Sequence, residues 1–201
     1  MRAGLIALLA LSACTSAEPA AEPTAAADPD AAAAAAARTG GWARMFAEPE
    51  QVVAAANQFG FVASPYAKAS DGWRSTGQPV FVSGSAAEHP NQARFTAMGR
   101  RAEQLDTIVL TLDLTDGDNA AAAKAQFFKV LRDLLWQFDA PGAALIEQPI
   151  ARETPVSATQ RGVTYAVTRD PLAESGPGAR RLTVTFSRPT AIGTQTQSRN
   201  A

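Results

Sequence analysis

The side chains that most often carry chemistry are scarce in this chain. Among its 201 residues there is one histidine, His89, and one cysteine, Cys14. Zinc sites in proteins are built from three or four ligands, most of them histidine or cysteine. This inventory excludes a zinc site of that kind, and we predict that the chain holds no metal and no cofactor.

A second candidate metal site is the acidic run Asp113, Asp116 and Asp118. An EF-hand calcium loop needs acids at its first, third and fifth positions, then a glycine and a more distant glutamate. The run does not have this spacing. In a structural interpretation, Asp113 lies on the solvent face of a strand, Gly117 makes a turn, and Asp116 or Asp118 caps the next helix. We therefore predict that these aspartates have a structural role and do not form a calcium site.

Hydrolytic chemistry has two candidate sources. Ser83, Ser85 and His89 lie close in sequence, but there is no Gly-x-Ser-x-Gly motif, and a triad would depend on one histidine in a polar loop. Carboxylates are abundant, so a pair of them acting as acid and base stays open as an alternative. Nothing marks one of them as an acid with a raised pKa. We therefore predict no catalytic residue and no enzyme activity.

Cys14 ends a segment with the plan of an export signal. Arg2 provides a positive charge, and the apolar run over residues 3–11 is about half of the ~20 residues that span a bilayer. The ending Leu11-Ser12-Ala13-Cys14 resembles the lipobox of bacterial lipoproteins. The resemblance implies diacylglycerol on the thiol of Cys14, removal of residues 1–13 by the lipoprotein signal peptidase, and attachment to a membrane through the lipid. The alternative is an ordinary secretory leader in which Cys14 is incidental.

The residue after Cys14 is Thr15. In enteric lipoproteins an aspartate at this position favours retention in the inner membrane. By resemblance, we expect the mature protein at the outer membrane, on its periplasmic face, with the inner membrane as the alternative. With a single cysteine, the chain forms no internal disulfide.

Residues 14–41 are predicted to carry the lipid and to form a disordered tether. The segment is rich in alanine, proline and acidic residues and has no aromatic or large aliphatic side chain, so it buries too little apolar surface to offset the entropy of ordering. Asp28-Pro29-Asp30 offers an N-cap and a first-turn proline, and residues 31–37 are all alanine. A helix this short is marginal in isolation. We predict a transient helix within a linker that sets the distance from the membrane.

The folded part is predicted to span residues 42–189, followed by a disordered tail over 190–201. Residues 143–150 fit either a helix or a strand, and 152–162 have the composition of a polar loop. Apolar periodicity predicts helices over 49–59 and 119–138, and strands over 79–83, 94–100, 107–114, 163–167 and 182–186. The order helix, three strands, helix, two strands indicates an α+β fold, with an antiparallel sheet of about five strands and two helices on one face.

The balance of charged residues and the position of one tryptophan indicate which kinds of partner the chain binds. With 18 basic and 19 acidic residues, the chain lacks the basic excess of a nucleic-acid-binding protein, so we expect no nucleic-acid partner. Trp136, Arg132 and Lys129 fall on the side of the second helix opposite its leucine and phenylalanine stripe. Tryptophan and arginine are favoured in interfaces. The alternative, which the usual burial of tryptophan favours, is a loop that covers Trp136.

These features together predict a lipid-anchored protein of the cell envelope with a binding or scaffolding domain. Its partners would be the membrane, through the lipid on Cys14, and another envelope protein, met either by the open sheet face or by Trp136 and its neighbours. Two alternatives come from other classes. One is an envelope hydrolase with an unrecognised carboxylate pair, and the other is a periplasmic carrier with a cleft for a small ligand or lipid.

Overall fold

The computed structural model describes residues 40–84 and 87–188. The predicted signal peptide, the lipidated Cys14, the tether up to residue 39, Ser85 and the tail over 190–201 lie outside the described residues. Within them the chain has the predicted α+β class, with an antiparallel sheet.

The described residues contain four helices and eight strands. The helices are α1 (Gly41–Ala47), α2 (Pro49–Gln58), α3 (Ala120–Gln137) and α4 (Ala143–Arg152). The strands are β1 (Ala67–Ala69), β2 (Gly72–Thr76), β3 (Val80–Phe81), β4 (Gln92–Gly99), β5 (Thr107–Leu114), β6 (Val156–Gln160), β7 (Val163–Pro171) and β8 (Arg180–Ser187). A short 3-10 turn, Ala173–Ser175, lies between β7 and β8.

One antiparallel sheet joins both halves of the chain. Its order is β1-β2-β4-β5-β8-β7-β6, and β3 pairs with β4 beyond the end of β2. The two central strands come from different halves, since β5 ends the first run of strands and β8 ends the second. They pair along their whole length, from Thr107 opposite Ser187 to Leu114 opposite Arg180.

The core lies on one face of this sheet. In β5, Ile108, Leu110 and Leu112 are fully buried, whereas Val109 and Thr111 on the other face are partly exposed. The buried side chains of the sheet form a single cluster with apolar residues from all four helices. Because side chains alternate between the faces of a strand, this pattern puts the helices on one side and leaves an open, threonine-rich face on the other.

The prediction of about five strands was too low. β1 and β2 bury only Ser75, so they show no apolar alternation in the sequence. β6 lies within the region predicted as a polar loop, where Ser157 and Thr159 are exposed and their neighbours are only partly buried. β1 and β6 are the edges of the sheet, where backbone pairing on one side can hold a polar strand in place.

The prediction of two helices was also too low. α1 has seven residues and no side-chain cap, so its pattern was too short to recognise, although Trp42 and Phe46 are buried. Residues 143–150, which fitted a helix or a strand, belong to helix α4 and contain Pro149. The element order is therefore two helices, five strands, two helices and three strands.

Candidate functional site

The outer face of α3 carries the predicted partner surface. Phe127, Leu131 and Leu134 point into the core and are fully buried, while Trp136 on the opposite side is 76% exposed. No loop of the described residues covers it, so the alternative of a covered tryptophan was wrong. Because residues three and four apart are neighbours on a helix, Lys129, Arg132 and Trp136 share one patch, which we call the Trp136 surface.

An aspartate organises the two cations of this surface. Lys129 Nζ donates to Asp133 Oδ2 at 2.6 Å, and Arg132 donates to Asp133 Oδ1 through Nε at 3.1 Å and Nη2 at 3.0 Å. The hydrogen bond from Lys129, together with that from Arg132, holds the pKa of Asp133 below its usual value. These pairs are exposed and contribute little to stability, but they hold the two cations beside Trp136.

A groove runs between α3 and α4 on the same side of the molecule. Its cavity is about 300 Å³, and its lining is mostly apolar. Phe128 is partly buried and Ile150 is buried at its base, while Ala125 and Ala151 are exposed along its walls. The full lining consists of Ala121, Lys124, Ala125, Phe128, Glu147, Ile150 and Ala151. The sequence had indicated the alanines and Phe128 as parts of α3, but not the second helix that completes the groove.

At one end of the groove, three cations surround a single carboxylate. Glu153 follows α4 in a left-handed conformation, with φ of 55°. Its Oε1 accepts from Lys124 Nζ at 3.0 Å and from Arg180 Nη2 at 2.5 Å, and its Oε2 accepts from Arg169 Nε at 3.2 Å and from Arg180 Nε. The hydrogen bonds from Arg180 lower the pKa of Glu153 to about 2, against the opposing effect of burial. Such a low pKa makes Glu153 a poor general acid.

The acidic run has a structural arrangement. Asp113 lies on the open face but is only 7% exposed. Arg181 covers it, donating from Nε to Oδ1 at 2.5 Å and from Nη2 to Oδ2 at 2.8 Å, and Arg94 Nε lies 3.6 Å from Oδ2. The residue that precedes α3 is Asn119, which corrects the predicted cap at Asp116 or Asp118. Asp116 instead accepts the backbone amides of Asp118 and Asn119 just ahead of the helix. No group of three metal-binding side chains is found among residues 40–84 and 87–188.

The loop around His89 is held by Asn91, which is fully buried. Asn91 Oδ1 accepts the backbone amides of Thr115 and Asp116, each at 2.9 Å, and Nδ2 donates to the carbonyl oxygen of Asp116 at 3.0 Å. A longer contact of 3.4 Å joins Nδ2 to Ser83 Oγ, and His89 is exposed. Ser83 and His89 were considered as catalytic residues and not favoured, but the buried side-chain amide of Asn91, which connects this loop to the end of β5, was not predicted from the sequence.

We predict that Asn91→Ala destabilises the fold. The change leaves the amides of Thr115 and Asp116 without their acceptor, so the free energy of unfolding should fall by about 2 kcal/mol. Urea denaturation would measure it. The control is Ser83→Ala, which removes only the 3.4 Å contact and should change the free energy by about 0.5 kcal/mol or less. Equal effects of the two substitutions would contradict this role for Asn91.

Among the described residues, no helix has the length and apolar character needed to cross a bilayer. Comparisons with protein-family models, with curated proteins and with solved structures found no match to this chain.

Proposed function

We propose that this chain is a lipid-anchored protein of the cell envelope, attached through Cys14 at the periplasmic face of the outer membrane, and that its domain binds another envelope protein without catalysis. The Trp136 surface is the contact site. The observation that carries the proposal is the 76% exposure of Trp136, on a helix whose opposite face is buried. Tryptophan loses much unfavourable contact with water when a partner covers it, and it is enriched among residues that dominate binding energy.

The neighbours of Trp136 add to the case for a protein partner. Lys129 and Arg132 lie beside it and pair with Asp133, which places both cations next to the tryptophan ring before a partner binds. An aromatic residue with arginine beside it and charged groups at the rim is the usual composition of such a contact. Among the described residues, the other large apolar side chains that stand exposed are Val62, Phe81 and Leu145, and none of them lies on α3.

The test is photo-crosslinking in membranes from cells that express the chain. A crosslinking amino acid at Gln126, which is exposed on α3, would serve as the probe. Trp136→Ala should reduce the yield of a discrete protein adduct by about tenfold, since truncating a central interface tryptophan typically costs more than ~1.4 kcal/mol. The melting temperature should change little, because Trp136 is 76% exposed and is not part of the core cluster.

The matched control is Phe81→Ala, which removes another exposed aromatic side chain, on β3. It should leave the adduct in place. Loss of the adduct in both variants, or in neither, would contradict binding through the Trp136 surface. Adducts to lipid alone would point to contact with the membrane surface. Turnover of cell-wall or ester substrates without any protein adduct would favour the alternative that the chain is an envelope hydrolase.

One observation favours the alternative function of a periplasmic carrier for a small ligand or lipid. It is the cavity of about 300 Å³ between α3 and α4. A cavity of this size is at the lower limit for small-ligand sites. Native mass spectrometry of the protein purified from membranes would detect a bound lipid or metabolite of constant mass, and would then favour that function.

A further inference from the structure

We propose that two copies of this chain pair edge to edge through β6, antiparallel and about a two-fold axis at Ala158, so that their two sheets join into one. The occupant of this edge is a second copy of the same chain. The pairing uses neither the lipid on Cys14 nor the Trp136 surface. It therefore goes beyond the proposed function, and the failure of one proposal does not imply the failure of the other.

The outer edge of β6 has free backbone groups. The two-residue turn over 161–162 joins β6 to β7, and both of its residues have positive φ, 49° and 78°. In such a turn the flanking residues, here Gln160 and Val163, exchange both of their backbone hydrogen bonds, and every second pair along the strands does the same. Ser157 and Thr159 belong to the pairs in between, so their N–H and C=O groups point away from β7.

A side-chain contact agrees with this phase. Thr159 Oγ1 and Thr164 Oγ1 are 3.0 Å apart. Such a close approach is typical of an opposed pair that does not exchange backbone hydrogen bonds. The backbone groups of Thr159, and those of Ser157 two residues before it, therefore face outwards from the sheet.

β6 lacks the features that protect the opposite edge of the sheet. β1 has only three residues, and Lys68 is the middle one. A short strand and a lysine are two means by which natural sheets prevent the addition of another strand. β6 has five residues, and none of them is charged. Its edge is therefore open to another strand.

A second copy of β6 matches this edge. Antiparallel pairing about Ala158 sets Ser157 opposite Thr159 of the second copy, and Thr159 opposite its Ser157. Each of these pairs exchanges two hydrogen bonds, so the free N–H and C=O groups of both strands are satisfied by four hydrogen bonds. The methyl group of Ala158 lies opposite its own copy at the centre, and Pro155, which has no N–H, ends the pairing.

The pairing brings no like charges into contact along the strands. The exposed charge next to β6 is Arg161, which falls opposite Pro155 of the second copy. The two copies of Arg161 are then six residues apart along the strands, or about 20 Å. This is more than twice the ~8 Å over which physiological salt screens exposed charges.

One flank of α4 extends the same surface. Ile146 is buried, and Glu147 lines the groove beside α3. Successive residues of a helix are about 100° apart, so Leu145 lies on the side of Ile146 that faces away from α3. Since α3 contacts β5 and α4 contacts β7, this flank faces the edge formed by β6. Leu145 is 39% exposed there.

Leu145 also lies close to the two-fold axis. Gly142, just before α4, is next to Gln160, because a Cβ at Gly142 would lie 3.5 Å from Gln160 Oε1. The end of α4 leads into the start of β6 through three residues, so the helix and the strand run side by side in opposite directions. Leu145 is about 4.5 Å along the helix from Gly142, and Ala158 is about 6.8 Å along the strand from Gln160. The two copies of Leu145 therefore face each other across the axis.

The contact surface is small. The strand is about 17 Å long, and the sheet and helix layers together are about 20 Å deep, so each copy buries roughly 350 Å². The total of about 700 Å² is below the ~1,200 Å² of stable interfaces, although four hydrogen bonds are the usual number for this area. We therefore expect a weak, reversible pair in solution. Attachment of both copies to one membrane would raise their local concentration.

The test is disulfide trapping in the full-length chain with Cys14→Ser, so that an introduced cysteine is the only thiol. Opposed residues without backbone hydrogen bonds have Cα atoms about 4.5 Å apart, which is within disulfide range. Ala158→Cys should therefore form a covalent dimer under mild oxidation. The control is Ser157→Cys, which is more exposed but lies about 8 Å from its own copy, beyond that range. We expect Ala158→Cys to dimerise about tenfold faster, because pairing raises its local concentration. Random collision would favour Ser157→Cys.

Charges at Leu145 provide a second readout. Leu145→Asp, added to the Ala158→Cys chain, sets like charges across the axis and should slow dimerisation severalfold, an effect that added salt should reduce. The control is Ala144→Asp, on the adjacent exposed residue, which faces solvent and should leave the rate unchanged.

Equal rates for the two cysteines, or faster dimerisation of Ser157→Cys, would overturn the proposal. A disulfide that joins Ala158→Cys to another protein of the cell in place of a dimer would also overturn it. That result would mean that the edge of β6 takes a strand from a different protein.

Discussion

The Cys14→Ala chain is expected to lose its lipid and to accumulate at the size of the uncleaved precursor. Without the thiol there is no acceptor for diacylglycerol, and the lipoprotein signal peptidase has no modified substrate. Cells labelled with radioactive palmitate would show the wild-type chain labelled and shortened, and the variant unlabelled. The label should be lost from the variant, because Cys14 is the only cysteine of the chain. The membrane-bound fraction should fall by at least about tenfold, because each buried methylene of an acyl chain contributes about 0.8 kcal/mol to membrane attachment.

Two controls separate the anchor from the domain. Trp136→Ala should keep both the label and the processed size, because the surface of α3 has no part in lipidation. A chain in which an ordinary cleavable leader replaces residues 1–14 should appear in the soluble periplasmic fraction with an unchanged melting temperature. If Cys14→Ala were processed and sedimented with membranes like the wild type, the anchor would have to lie elsewhere.

The second large effect is the loss, at acid pH, of the stability that the Glu153 carboxylate contributes to the fold. Its pKa is about 2 in the folded protein, compared with 4.5 for the free side chain. Since the folded value is the lower one, the carboxylate stabilises the fold at neutral pH, and this contribution is lost as the pH falls through the range between the two values. We expect Glu153→Gln to cost about 2–3 kcal/mol near neutral pH, and the difference from the wild type to shrink towards about pH 2.

Urea denaturation at a series of pH values measures this difference. Asp106 also has a pKa near 2, because hydrogen bonds from Arg100 and Arg188 outweigh the effect of its burial. Its contribution is present in both proteins and cancels in the comparison. The matched control is Glu147→Gln, an exposed glutamate of α4, which should shift the curve by about 0.5 kcal/mol or less. A Glu153→Gln effect that stays constant with pH would contradict the ion-pair account.

The sequence predicted the elements with strong apolar periodicity and missed those without it. β5 matches the predicted range of 107–114, and α3 lies within the predicted 119–138. Both bury side chains at every core-facing position. β1, β2 and β6 are short or polar and exist because a neighbouring strand pairs with their backbone. Such pairing is a property of the tertiary fold, which no local pattern carries.

The candidate site was predicted in part. The amphipathic pattern of α3 correctly set Trp136, Arg132 and Lys129 opposite the core, but it could not say whether a loop covers them. The cluster of Glu153 with Lys124, Arg169 and Arg180 could not be predicted from the sequence, because its three cations come from α3, β7 and β8. The groove was missed for the same reason, since its second wall is α4, a region that fitted either a helix or a strand.

The central claim is that the chain begins, when mature, at a lipid-bearing Cys14, and mass spectrometry of the amino-terminal peptide tests it most directly. Protein extracted from native membranes should give a peptide that starts at Cys14 with diacylglycerol in thioether linkage to its sulfur. A peptide that carries a free Cys14 thiol, or a mature chain that begins at any other residue, would contradict the account.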